Sequence, residues 1–321
     1  MTPQELVQEI KLHSKFVRQI IGGKRAILKN QDLSGLKLPG INLSGAILEG
    51  AILDNYNLPD SDFSQANLFS ASFAHADLTN ANMERADLRG VNFQGAILTG
   101  VRFRDADLRP GALLASQASP SLKNANLESA QLDNSDFENS KMANGNLRKA
   151  SLTGAKLRNV SMPQVDLTGA DLAGADLSFS KLGEANLTGA NLTGANLSNV
   201  NLKGADLAGI YLSGASLKGC DLSSASLADA TLVLTDFSDA TLVQTNFRNA
   251  DLSGAMFRGA DLSFAQLDYA NLEPAEIIAA TGTRTGQNKA TDMTNANLDG
   301  ISFRGVMLED VNLTGTSLLD R

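Results

Sequence analysis

Residues 166–180 read Asp166-Leu-Thr-Gly-Ala, Asp171-Leu-Ala-Gly-Ala, Asp176-Leu-Ser-Phe-Ser, and the same five-residue unit runs on without a slip to Leu207. The large apolar residue of each unit is its centre: Leu167, Leu172, Leu177, Leu182, Leu187. A small residue stands two places before each centre, and a polar one, usually Asp, Asn or Ser, lies between them. Two small, polar or Gly residues follow. No ordinary element has this period. On an α-helix five residues turn through about 500°, which scatters the centres around the cylinder. In a flat strand an odd step sends successive centres to opposite faces. All centres point inward only if the chain bends once per unit. Gly169, Gly174, Gly189 and Gly194 suit that bend. Short extended pieces joined by regular bends make a coil, and stacked coils make a solenoid.

Outward from this stretch, centres run from Leu33 to Leu113, from Leu122 to Ile277 and from Met293 to Leu318, 55 in all, each Leu, Phe, Met or Ile. The rings follow a second rule. Phe63, Phe73, Phe93 and Phe103, with Met83 filling the gap, are spaced by multiples of ten, as are Phe237, Phe247 and Phe257. Four units per coil place residues ten apart on opposite sides and residues twenty apart in one stack; a three-sided coil gives no such rule. At about 4.8 Å per coil, the units make about 14 coils and a rod on the order of 65 Å long. Keeping Phe137 on a Phe side makes the first interruption, Gly111–Ser121 with Pro110 and Pro120, a four-residue bulge. Returning Phe303 to a Phe side makes the second, within Ala279–Ala290, two units plus six extra residues.

Residues 1–23 differ. Thr2-Pro3-Gln4-Glu5 is a capping box with Pro at the first helical position. Leu6, Ile10, Val17 and Ile20/Ile21 form an apolar stripe, with Leu12 and Phe16 at its margin, on a helix over 2–21 that Gly22-Gly23 ends. The domain reading is a capping helix over 1–23 and a single repeat β-helix over 24–321, interrupted by loops near 110–121 and 278–291. A partner-binding helix is the alternative to a cap.

The unit Ala-(Asp/Asn)-Leu-x-x, as at 185–199 and 250–254, resembles the signature of the pentapeptide-repeat family, over roughly 26–318. The resemblance implies an all-β solenoid, a right-handed quadrilateral β-helix, which agrees with the four-sided reading. Many members come from cyanobacteria, and a subset binds DNA gyrase or related topoisomerases as an acidic mimic of duplex DNA. Those members typically end in a C-terminal helix that joins two rods; this chain ends Leu313-Thr-Gly-Thr-Ser-Leu-Leu-Asp-Arg321, with no such helix.

Composition narrows the chemistry. Apolar residues make up 43%, aromatics 5%, and there is no Trp; the net charge is −8. An acidic chain is not built for general nucleic-acid binding. One Cys excludes an internal disulfide framework. His13 on the helix and His75 on an outward position have no Cys partner nearby, so no metal site is expected. Cys220 takes the small inward position that Ala215 and Ala225 take on either side, and reads as packing. The Asp and Asn before each centre read as outward groups bonding along the stack to the backbone of neighbouring coils. The Asn-Leu-Ser/Thr triplets at 42, 186, 191, 196 and 312 are written by the repeat. Arg85, Arg89, Arg102, Arg104 and Arg109, then Lys141, Arg148, Lys149, Lys156 and Arg158, form a mixed or basic portion. Asp206, Asp221, Asp229, Asp236, Asp239, Asp251, Asp261 and Asp268 form an acidic one.

The expectation is a non-catalytic, cytoplasmic scaffold without cofactor, catalytic residue or metal. It engages another protein, with no direct nucleic-acid binding and no membrane, as a monomer or weak end-to-end dimer. The alternative is a DNA mimic that binds gyrase or topoisomerase.

Overall fold

A computed structural model describes residues 2–33, 40–111, 120–278 and 284–317. It contains two compact units, Met1–Ser161 and Met162–Arg321. Both are built from the same coil. Parallel one-residue bridges join each outward residue to the one twenty places on: Asn42 to Asp62, Asp62 to Asn82 and Asn82 to Arg102 in the first unit, Asn191 to Tyr211 and Tyr211 to Thr231 in the second. Four such ladders, offset by five residues, make the four sides of each coil.

The unit Asn191–Ala195 shows why a period of five is stable, since every N–H in it has a partner. Asn191 N–H donates back to Ala170 at 2.9 Å, and Leu192 N–H donates forward to Tyr211 at 2.7 Å. Gly194 N–H donates forward to Ser213 at 3.2 Å, and Ala195 N–H closes the turn onto Leu192 at 3.0 Å. The stack leaves one donor, Thr193 N–H, and the Asn191 side-chain oxygen accepts from it at 3.1 Å. A buried or half-buried N–H without a partner is costly, so the outward Asp or Asn completes the unit. This corrects the expected bonding: the side chain serves its own turn's backbone. Along the stack it meets side chains instead, as where Asn191 Nδ2 donates to Asp171 Oδ1 at 3.0 Å. In the regular turns of both units the second turn residue is left-handed, at φ 59° in Asn80 and 67° in Gly100, and Asp310 near the C-terminal end departs from this.

Centres and small residues form the interior, almost all fully buried. The ten-residue rule for Phe holds. Phe63 and Phe103 share a ladder with Met83, and Phe73 and Phe93 share the opposite one. In the second unit Phe237 and Phe257 stack at 5.1 Å with their planes 5° apart, and Phe247 meets both edge-on from across the interior.

The interruptions differ from expectation. Asn92 pairs with Ser121, nine residues beyond the usual interval, and Met256 with Asp292, 16 beyond it. The whole excess therefore leaves the coil each time, not four and six residues. Leu122 follows Phe93 in its stack, and Phe137 follows Leu108 in a Leu ladder instead of lying on a Phe side. Phe303 does reach a Phe side, following Leu267 and Phe247. The form of the first excursion lies outside the described residues. Proline accounts for both. Pro110 and Pro274 stand two places after Leu108 and Leu272, where the turn requires a left-handed residue. Proline is locked near φ −65°, so the turn cannot close and the chain departs. One place after a centre, Pro59 and Pro163 lie within regular turns, since that position accepts their φ.

At the N-terminus α1 spans Pro3–Val17. Its capping box forms as expected: Glu5 N–H donates to Thr2 Oγ1 at 3.3 Å and Thr2 N–H to Glu5 Oε2 at 2.7 Å. The helix stops four residues short of Ile21, because Gln19 takes φ 55° and Ile20 N–H returns to Lys15 at 2.9 Å. The stripe is correspondingly different. Leu6 and His13 are buried, whereas Phe16, Ile20 and Ile21 are exposed, Ile21 by 99%.

Candidate functional site

His13 is fully buried; its Nδ1 accepts from Ala26 N–H at 3.1 Å, which places the ring proton on Nε2. Burial holds its pKa below the ordinary histidine value, the Ser44 backbone opposes this, and the Arg25 charge adds to it. His75 is exposed on a left-handed turn. Cys220 is buried among the small inward residues, and burial pushes its thiol pKa up, away from thiolate reactivity. Among the described residues no group of three or more His, Cys, Asp or Glu is arranged to hold a metal ion.

The basic portion is interleaved with carboxylates. Arg89 meets Asp87 and Arg109 meets Asp107, both at 2.7 Å; Arg104 meets Asp133 at 3.6 Å and Lys156 meets Asp136 at 3.7 Å. Burial alone would raise the Asp107 pKa, but hydrogen bonds from Arg109 outweigh it and hold it low. These pairs are partly exposed and each contributes about 0–1 kcal/mol. The charge asymmetry lies between the units. Residues 1–161 carry 18 Lys and Arg against 16 Asp and Glu, and residues 162–321 carry 9 against 19.

One feature of the second unit leaves the repeat geometry. After Pro274 the chain forms a hairpin of β1, Ala275–Ile278, and β2, Arg284–Lys289, paired antiparallel with a register irregularity between Glu276 and Ile278. Its base is seated on Gly254. A Cβ at that glycine, which has φ +62°, would lie 2.8 Å from the Lys289 carbonyl oxygen and 2.9 Å from the Ala275 side chain, so only glycine admits the hairpin. Lys289 Nζ reaches Met256 Sδ at 2.9 Å and fixes the second strand to the coil. Thr285 to Asn288 are exposed. Beneath the hairpin is a hollow of about 200 Å³ lined by Leu272, Glu273, Pro274, Asn288, Met307, Glu309 and Asp310. Three carboxylic acids and an exposed thioether, Met307 at 67%, suit a cationic side chain with an aliphatic stem. Sequence reasoning named the loop but missed the strands and the hollow. The polar run Thr-Arg-Thr-Gly-Gln-Asn-Lys lacks apolar alternation, the usual strand signal.

The family model for pentapeptide repeats matches eight times, over residues 26–65, 66–105, 121–159, 150–189, 170–209, 205–242, 235–273 and 289–318. The chain belongs to the pentapeptide-repeat family. Among solved structures it is similar to HetL, a pentapeptide repeat protein involved in heterocyst differentiation regulation from the cyanobacterium Nostoc sp. strain PCC 7120. The identity is 27% over 94% of this chain and 95% of that one, with a TM-score of 0.34. It is also similar to QnrB1, a plasmid-mediated fluoroquinolone resistance protein, at 17% identity over 61% of this chain and 88% of that one, TM-score 0.42. A third is Rfr23 from the cyanobacterium Cyanothece 51142, at 22% identity over 52% and 89%, TM-score 0.17. The comparison with curated proteins returned no match.

Proposed function

We propose that this pentapeptide-repeat chain is a non-catalytic scaffold, a right-handed β-helix capped by α1, that binds another protein through the hairpin 275–289 and the hollow beneath it. The observation that supports this is the hairpin itself. It departs from the stacked ladder, and it presents exposed residues of β2, Thr285 to Asn288, next to a hollow lined by three carboxylic acids. An extended partner segment would pair with the strand edge, and a Lys or Arg of that segment would enter the hollow. The test is a pull-down with the full chain and with a variant lacking Ala275–Ala290 and carrying Pro274→Gly. A partner held equally by both would remove the hairpin from the interface. A variant lacking residues 1–22 is the control for the helix.

A second reading is an acidic DNA mimic that binds gyrase or topoisomerase. Its support is the excess of ten carboxylates over cations in residues 162–321. Asp236 with Lys218, Asp268 with Arg248 and Asp292 with Arg258 weaken it, since paired carboxylates present less field. A supercoiling assay decides: gyrase unaffected by excess protein, with no relief of quinolone poisoning, discards the mimic.

A further inference from the structure

The turn after α1 combines two features that the coil does not explain. The first is exposed apolar surface. Phe16, Ile20 and Ile21 are 43%, 49% and 99% exposed within six residues. They are not on a loose end. Ile20 N–H bonds Lys15, Gly23 N–H bonds Ile20 at 3.0 Å and Lys24 N–H bonds Leu12 at 3.0 Å. Gly23 packs so closely on the Phe16 backbone that no Cβ fits there. A structured turn thus holds two isoleucines outward.

The second feature is charge. Residues 10–31 contain Lys11, Lys15, Arg18, Lys24, Arg25 and Lys29 and no Asp or Glu, in a chain whose net charge is −8. Lys24 is paired with Glu9 at 3.6 Å and Lys29 with Glu49 at 2.6 Å, which leaves four cations without a carboxylate among the ion pairs described. The opposite end of the helix is polar and acidic, with Gln4, Glu5, Gln8 and Glu9 along one trough. The helix dipole accounts for a basic last turn and an acidic first one. It does not account for isoleucines in water.

We infer that this turn docks the protein peripherally on an anionic lipid surface, with Ile20 and Ile21 entering the headgroup region and the surrounding cations resting on the lipid phosphates. The shape favours lipid over an acidic protein. The apolar residues stand on a projecting turn, not in a groove, and a fluid interface accepts a projecting side chain without a matching cavity. Each cation near an anionic leaflet raises partition about fivefold, and the effect falls with salt. The expectation of no membrane partner rested on the lack of an apolar run of about 18 residues, which bears on spanning a membrane and not on lying against one. Among the described residues no helix is long and apolar enough to span a membrane, and peripheral docking requires none.

The test is co-sedimentation of the full chain with vesicles of phosphatidylcholine alone and of phosphatidylcholine mixed equally with phosphatidylserine. The protein is expected to sediment with the mixed vesicles only. Ile20→Ser with Ile21→Ser should lower that partition about tenfold, and so should Lys15→Gln with Arg18→Gln. Both variants change exposed side chains, so their thermal melts should match the parent's and separate a binding defect from misfolding. Three outcomes overturn the inference: no sedimentation with mixed vesicles, equal sedimentation with both kinds, or a partition that survives loss of the isoleucines. The last would leave charge alone, as an acidic protein's site would use.

Discussion

His13 Nδ1 accepts a hydrogen bond from the backbone N–H of Ala26 at 3.1 Å, so a helix residue serves the first inward residue of the coil. The contact exists only for the neutral ring. Burial holds the folded-state pKa below the unfolded value of about 6.5.

The sign of the pH dependence follows. Between the two pKa values the unfolded chain binds more protons, so stability rises with pH there. It should be fully present above about pH 6.5 and decline as pH falls toward the folded-state value. His13→Ala should cost about 1–3 kcal/mol through the unpaired Ala26 N–H and should flatten the pH 5–7 portion of the profile. Urea melts across that range check it; an unchanged slope in the variant would exclude His13 as the titrating group.

The outward Asx residue completes the backbone pairing of its unit, so removing it should cost about 1 kcal/mol even at the surface. Asn191→Ala is the test. The converse is sharper. Ile97 is 44% exposed at the same position and offers no acceptor to its turn. Ile97→Asn should raise stability by about 0.5–1 kcal/mol. A lower melting temperature for that variant would show that the Asx bond is dispensable.

Gly219 and Gly214 are neighbouring turn glycines at φ +63° and +68° with different surroundings. A Cβ at Gly214 meets nothing within 4 Å, whereas one at Gly219 lies 2.8 Å from Asn199 Oδ1, in the coil before. Gly214→Ala should cost about 1 kcal/mol for the left-handed backbone, and Gly219→Ala more. Asn199 is itself left-handed at φ 58°, so adding Asn199→Gly, which removes the side chain without that backbone cost, should recover the difference. A double-mutant cycle with no coupling would mean the Asn199 side chain moves away without cost.

The departures at Pro110 and Pro274 predict which deletions fold. Removing Ala275–Ala290 restores the twenty-residue interval, but Pro274 would then occupy a left-handed turn. The plain deletion should lose about 3 kcal/mol or more, and the same deletion with Pro274→Gly should melt close to the parent. Equal melting of the two would mean that the proline does not set the departure.

The coil was legible because its interior accepts little variety. One large and one small apolar residue in five, repeated in phase, left no helix or flat strand that buries them all, and the Phe spacing chose four sides. The interruptions were misjudged because Leu113 and Ile277 keep the five-residue phase and look like inward centres. Phase does not report backbone conformation, and Pro110 and Pro274 stand at the one turn position proline cannot take. The helix end was misjudged for a related reason. Apolar identity placed Ile20 and Ile21 inside, while the left-handed Gln19 had already turned the chain. The hollow under the hairpin had no signal in the sequence, since Glu273, Met307, Glu309 and Asp310 meet only once the 16-residue excess has left the coil.

Nine residues leave at one corner and 16 at another, and the pairing resumes in register both times. The stack therefore measures whether the chain returns to the next side, and is indifferent to how far it has travelled in between. For an engineer this makes a proline-marked corner a display port. A tag or small domain spliced between Pro274 and Thr291 would be carried by the frame without entering its interior. The frame thus ties its sides to Leu and Ala and leaves its corners free to lengthen.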